Sequence, residues 1–261
     1  MRSIAVINHK GGVGKTTTAL NLGHALALRG QRVLLVDLDP LGQLATCLGI
    51  FRPPRHGVDR VLLQQAPLLE HAIDTRELLQ LLPAGQDLAQ VEELVGGAER
   101  GTRLRAALRR CAQDIDYLVF DCPPSAGLLV ANAVLAVDEV LVPVAGDYLS
   151  LTGIAKLMVT LKRFEPWRDG PLGLRLFLSR FVPRRRLSLE VQRKLLQHFP
   201  AQLLATAIRE AAVVAESAAA GRTLFEYRGN SKSAAEFRRL CGDFLEGRML
   251  AHEQTQTRDV A

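Results

Sequence analysis

Ile4-Ala5-Val6-Ile7-Asn8-His9-Lys10-Gly11-Gly12-Val13-Gly14-Lys15-Thr16-Thr17-Thr18 passes from an apolar run, through a turn carrying three glycines, into Lys-Thr-Thr-Thr. The run reads as a buried strand, and the Lys-Thr-Thr-Thr segment as the start of a helix. Glycines at 11, 12 and 14 let the backbone fold with its N–H groups inward, Lys15 can reach terminal phosphates, and the Thr16 hydroxyl can ligate Mg²⁺. The stretch is therefore a phosphate-binding loop, with Lys10, Gly11, Gly12, Val13, Gly14, Lys15, Thr16 and Thr17 as candidate nucleotide contacts. It departs from G-x-x-x-x-G-K-[ST] at one place: His9 stands where the first glycine would fall, and a second lysine, Lys10, comes directly after it.

Outward from the loop, strand and helix patterns alternate. Thr17 to Arg29 carries a helical apolar stripe that ends at Gly30. Arg32 to Asp37 is too continuously apolar for a half-exposed strand, so it reads as a buried parallel one, and Pro40 and Gly42 turn the chain after two carboxylates, Asp37 and Asp39. Residues 51–75 give a loop at Arg52–Gly57 and two short amphipathic helical patterns after it. Leu78 to Pro83 reads as a short strand, and Leu88 to Ala112 as helical segments broken at Gly96-Gly97. Tyr117-Leu118-Val119-Phe120-Asp121 again runs apolar residues into an acid, in the form of a Walker B strand.

Later strands are expected at Val140–Val144, Leu172–Leu178 and Leu203–Ile208. Helices are expected at Ser150–Phe164, at Leu187–Phe199 with Ser188 as cap, at Ala211–Ala220, and from Ser233 to Leu250. The pattern predicts an α/β fold, a doubly wound, mostly parallel sheet flanked by helices, as one domain over residues 1–250 with a polar, frayed tail at 251–261.

A chain of 261 residues with 48% hydrophobic content supports one large core. The N-terminus enters a strand at once and no apolar run is long enough to span a bilayer, so a cytoplasmic protein without membrane attachment is expected. Cys47, Cys111, Cys122 and Cys241 are scattered in apolar contexts and read as reduced packing residues. The net charge of +6 is uneven: residues 175–240 hold 13 Lys or Arg against 5 Glu and no Asp. With aromatics at only 5%, this segment favours phosphate contact over base stacking. Its candidate DNA contacts are Arg184, Arg185, Arg186, Arg209, Arg222, Arg228 and Lys232, binding double-stranded DNA without sequence preference.

A phosphate loop with two acidic strand ends after it is the set that nucleotide hydrolysis needs, because phosphoryl transfer depends on positioning and charge neutralisation. Lys15 would hold phosphates, Thr16, Asp39 and Asp121 would form the metal side, and Asp39 on its loop would position the attacking water, with Asp37 supporting it. The catalytic set is Lys15 and Asp39, to which the resemblance described next adds Lys10.

Lys10-Gly11-Gly12-Val13-Gly14-Lys15-Thr16-Thr17 resembles the deviant Walker A motif of the ParA/MinD (SIMIBI-type) ATPases, and Val36-Asp37-Leu38-Asp39-Pro40 resembles their A′ motif. Phe120-Asp121-Cys122-Pro123-Pro124-Ser125, Leu82-Pro83-Ala84 and Arg186-Leu187-Ser188 are similar to ParA/Soj partition proteins in particular. The loop after Pro40 departs, reading Leu41-Gly42-Gln43 where that family more often has Gln-Gly-Asn. The resemblance implies a P-loop NTPase fold, ATP with Mg²⁺, and a homodimer formed on ATP binding in which Lys10 reaches the second subunit's nucleotide. It further implies nonspecific DNA binding on the nucleoid, a ParB-type protein that stimulates hydrolysis, and chromosome or plasmid partition as the output. The alternative within the same fold is an ATPase that positions another cargo, at a membrane division site or a chemotaxis, conjugation or secretion complex.

Overall fold

In the computed structural model, which describes residues 1–111 and 114–252, seven strands form one sheet in the order β3-β4-β2-β5-β1-β6-β7. They are β1 Arg2–Val6, β2 Val33–Asp37, β3 Ile73–Arg76, β4 Leu79–Leu82, β5 Tyr117–Asp121, β6 Glu139–Ala145 and β7 Gly173–Ser179. All pair in parallel except the β3–β4 hairpin. The helices are α1 Lys15–Ala27, α2 Gln43–Cys47, α3 Val58–Gln64, α4 Arg103–Arg110, α5 Leu128–Ala136, α6 Tyr148–Phe164, α7 Arg186–His198, α8 Ala212–Ala219, α9 Leu224–Arg228 and α10 Lys232–Glu246.

Two cores arise from the strands' twofold alternation. Ala5, Leu34, Val36, Leu118 and Phe120 face one side of the sheet, where they pack with residues of α3 to α7 such as Val58, Leu104, Leu129, Ile154 and Val191. Ile4, Val6, Leu35, Val119 and Phe177 face the other, against Leu20 and Leu22 of α1 and Phe237, Leu240 and Phe244 of α10. The expected doubly wound, mostly parallel architecture is thus present.

Several local expectations are corrected. Leu78 is not a strand residue: at φ 57 it forms the β3–β4 turn, and β3 begins within residues 51–75, where two short amphipathic helices are expected and only α3 forms. Residues 88–111 keep the expected break at Gly96-Gly97, but the helical segments beside it are two 3-10 turns, Leu88–Glu93 and Ala98–Gly101, before α4, and Ala112 lies outside the described residues. The segment expected as a strand at 203–208 runs beside β7 through isolated bridges at Leu203 and Arg209. Between them the chain turns away, because Ala205 N–H donates to Arg248 O and Thr206 N–H to the buried Asp243 carboxylate. Ser188 does not cap α7. The cap position is Arg185, and the Ser188 hydroxyl, inside the first turn, donates to Gly146 O. The last helix ends at Glu246 on Gly247 at φ 67, short of Leu250. Of the tail expected from 251, residues 253–261 lie outside the described residues.

One close approach fixes α3 to the sheet. Val58 N–H donates to Pro83 O at 2.8 Å, and a Cβ on Gly57 would fall 1.9 Å from that same carbonyl oxygen. Gly57→Ala is therefore expected to destabilise the fold by about 3 kcal/mol, lowering the melting temperature by roughly 5–10 °C. Thermal unfolding checks this, and an unchanged melting point would show that the α3 entry yields.

Candidate nucleotide-binding site

Strands β1, β2 and β5 end in register, Val6 and Asp37 each pairing with Asp121, so the loops beyond them share the carboxyl edge of the sheet. At β1 the chain enters the glycine loop. Asn8, buried, donates its amide to Pro143 O at 2.9 Å and accepts Lys10 N–H at 3.0 Å, which pins the loop's first half. Gly14 stands at φ 92 as the residue before α1, and no side chain caps the helix. The first-turn N–H groups and the positive end of the helix therefore face the loop without a protein anion, an arrangement that suits phosphate.

Lys15 is buried, its ammonium 3.3 Å from Lys10 O, and burial pulls its pKa down while Asp121 and Asp39 push it back up. Asp121 is fully buried, and neither of its carboxylate oxygens has a hydrogen-bond partner. Burial raises its pKa to about 7, with Asp39 adding to the rise and the nearby Thr16 hydroxyl and Lys15 opposing it. An unpartnered carboxylate beside a threonine hydroxyl is a hard-oxygen donor set of the kind Mg²⁺ takes, so the residues present fit that ion.

Asp37 is equally buried, yet both of its oxygens are engaged, by Asp39 N–H and by Leu44 N–H at 3.1 Å each. It holds the loop and the start of α2; burial and then Asp121 drive its pKa well up. Asp39 is half-buried, and among the described residues its carboxylate accepts only Leu41 N–H, on one oxygen at 3.0 Å.

On the other flank of the loop a cleft of about 450 Å³ opens between Gly12–Gly14, Thr17, the end of β7 and the 208–215 segment. Phe177, Ile208, Val214 and Phe237 give it apolar walls suited to a planar base. Arg180, at φ 47, bridges its mouth by donating to Gly12 O at 3.0 Å and to Glu210 at 2.6 Å. Sequence reasoning missed Arg180 and Glu210; a positive-φ arginine after a strand leaves no pattern. It also missed Asp147, to which Lys10 is bound: Lys10 Nζ lies 2.5 Å from both Asp147 oxygens and 3.4 Å from the Ser150 hydroxyl.

The seven basic candidates do not form one group. Arg184, Arg185 and Arg186 are exposed at the start of α7, which the Ser188–Gly146 bond ties to the turn carrying Asp147. Arg222, Arg228 and Lys232 lie around α9 and the start of α10, elements that pack on the opposite sheet face. Arg209 lines the cleft, apart from both groups, and its guanidinium is held by the buried Glu236 carboxylate. Among the described residues the one His/Asp cluster, His56, Asp59 and Asp87, already surrounds a cation: Arg60 donates to His56 at 2.8 Å and to Asp87 at 2.9 Å.

Residues 1–169 match the family described as an AAA domain. Over 234 residues, 87% of each chain, the sequence is 40% identical to the chromosome partitioning protein ParA of Caulobacter vibrioides. The chain belongs to the ParA/Soj family of ATPases. A second member, the chromosome-partitioning ATPase Soj of Thermus thermophilus, is 39% identical over 94% of this chain and 96% of its own. A solved structure titled cobyrinic acid a,c-diamide synthase, from Mycobacterium smegmatis with bound ADP and magnesium, is 32% identical and superposes with a TM-score of 0.80 over 94% of both chains. The ParA/Soj membership agrees with the deviant loop, since the residues around Lys10 and Asp39 are the ones that carry the resemblance. No helix among the described residues is long and apolar enough to cross a membrane, and the apolar stripe of α10 that a surface-binding helix would use is buried as Phe237, Leu240, Cys241 and Phe244.

Proposed function

We propose that this chain is a partition ATPase that binds ATP with Mg²⁺, pairs with a second copy when ATP is bound, and in that state holds double-stranded DNA without reading its sequence. A ParB-type protein then stimulates hydrolysis and release, and the output is movement of a chromosome or plasmid by a nucleoid-associated, cytoplasmic protein. The observation that carries the reading is Lys10: the phosphate loop already has its lysine in Lys15, and Lys10 is a second, partly exposed lysine on the same loop whose ammonium turns to Asp147.

Each residue has a derived part. The α1 N–H groups and Lys15 bind the phosphates, Phe177 and Phe237 line the base cleft, and Thr16 with Asp121 and Asp39 would hold the metal. Bound there, Mg²⁺ supplies charge neutralisation at the phosphate oxygens. Asp39, with one fixed hydrogen bond and an open carboxylate, orients water for attack. Arg184, Arg185 and Arg186 beside the Asp147 turn are the leading DNA contacts, because that turn also carries the partner of Lys10.

Linkage gives the test. If the paired form binds DNA better, ATP and DNA strengthen each other's binding by one factor. At fixed salt, ATP is expected to raise DNA affinity at least about tenfold, with affinity falling steeply as salt is raised, and Lys10→Ala is expected to lose the ATP effect while keeping nucleotide binding. DNA affinity indifferent to ATP would end the switch reading. Purification with a cargo complex other than a replicon, with DNA binding absent, would favour the alternative output.

A further inference from the structure

We propose that the face built around Trp167, at the end of the sheet away from the nucleotide site, is a docking site for an acidic segment of a partner protein, open whether or not nucleotide is bound. Trp167 is the chain's one tryptophan, and it stands 58% exposed at the end of a 3-10 turn, Glu165–Trp167, that follows α6 directly. The turn is firmly held. Pro166 fixes a backbone angle within it, and the Arg168 guanidinium donates to Val134 O, to Val137 O at 2.8 Å and to Gly170 O at 3.2 Å, tying it to the end of α5. Arg105 of α4 donates to Trp167 O at 2.9 Å. A tryptophan on a backbone held at so many points loses little further freedom when a partner covers it.

Charge sets the kind of partner. Arg105, Arg109, Arg110, Lys162, Arg163 and Arg168 gather at this end, with Glu165 and Asp169 among them. Asp169 answers two of the arginines with one oxygen, 3.2 Å from Arg105 and 2.6 Å from Arg109, and the Arg109 side chain stays 66% exposed. Basic residues in the last turns of α4 and α6 suit the negative ends of those helices, which accounts for Arg109, Arg110, Lys162 and Arg163. It does not account for Arg105, Arg168 or the exposed indole. Beside the turn a cleft of about 440 Å³ opens between Arg105, Arg109, Leu135, Arg168 and Asp169.

Tryptophan and arginine are enriched among the side chains that carry most of the energy of protein interfaces, and a positive rim beside an apolar anchor selects an acidic segment with an apolar residue in it. Nucleic acid fits less well. Glu165 and Asp169 would face a continuous phosphate backbone, whereas a peptide sets its acids on the arginines and its apolar side chain on the indole. Ser3, Asp138 and Pro171, which line the same cleft, lie at the starts of β1, β6 and β7, while the phosphate loop leaves β1 at its other end. The seven residues of β6 keep the two ends about 20 Å apart, so an occupant here does not compete with ATP or Mg²⁺.

Because Trp167 is the only tryptophan, its emission reports this site alone. The probe is a short synthetic peptide of Asp and Glu around a central Leu-Phe pair, titrated into the full chain. The emission is expected to shift to the blue and saturate, with midpoints equal within about twofold with and without ATP and Mg²⁺. Arg109→Glu is expected to raise the midpoint at least about tenfold, with ATP turnover and melting temperature unchanged. Trp167→Ala, followed by anisotropy of the labelled peptide, should weaken binding by at least as much. An emission unmoved by the acidic peptide at about 1 mM overturns the proposal, as does binding indifferent to both substitutions or a midpoint that ATP moves by more than about tenfold. It is equally overturned if duplex DNA, or the same peptide with lysine at each acid, shifts the emission at a lower concentration than the acidic peptide does.

Discussion

Asp39→Ala is expected to lower steady-state ATP turnover in the presence of DNA by at least about a hundredfold, while nucleotide affinity stays within roughly threefold. The separation comes from the bonds each aspartate makes. Asp37, fully buried, is held by two N–H groups and keeps the loop in place, whereas Asp39 commits one oxygen to Leu41 N–H and leaves the rest of its carboxylate available to water. Removing it takes away an orienting acceptor and one of three metal-side groups, while the N–H cradle, Lys15, Thr16 and Asp121 remain to hold nucleotide and metal. Rate and affinity measured on the same preparation decide the matter: turnover within about threefold of native would remove Asp39 from the chemistry, and a parallel collapse of affinity would make it a binding residue.

The second large effect is expected in the opposite direction. A carboxylate with no partner, buried completely, is a strain the fold carries so that a cation can relieve it. With the pKa of Asp121 raised from 3.8 to about 7, the ionised form at pH 8 costs at most about 4 kcal/mol. Between pH 3.8 and 7 the unfolded chain has released this proton and the folded chain has not, so stability falls as pH rises through that window and levels off above it. Asp121→Asn removes the ionisation. Without nucleotide or Mg²⁺, the variant should melt several degrees above the native chain at about pH 8 and within a degree or two of it at about pH 4, while Mg²⁺-dependent nucleotide binding weakens. Equal melting points at the higher pH would show that the carboxylate finds compensation within the folded chain.

The parts of this molecule that were legible in sequence are those where physics is local. The strand, glycine turn and helix of residues 4–29 announce themselves, and the buried runs ending at Asp37 and Asp121 could only be parallel strands at a sheet's carboxyl edge. Helix α5 was not legible for the complementary reason. Leu128–Ala136 is buried nearly all round, against both the sheet and its neighbours, and so shows no polar face to mark its period. The hairpin at β3 hid behind Leu78, a residue that rarely takes the left-handed conformation it adopts there. The contacts of the site that join distant segments, Lys10 to Asp147 and Gly12 to Arg180, depend on tertiary placement that no spacing rule encodes.

The two margins of the sheet also bear on how copies of this chain behave when gathered closely. β3 is four residues long, carries a register shift between Asp74 and Arg76, and offers its outer side half-buried and charged. At the other margin, the stretch from 202 to 210 returns along β7 and takes up the backbone groups of Leu176, Leu178 and Phe181. A neighbour arriving sideways meets either a short, kinked, charged rim or a ladder whose bonds are already made. Raising the local concentration of this chain therefore does not invite strand exchange at either margin of the sheet.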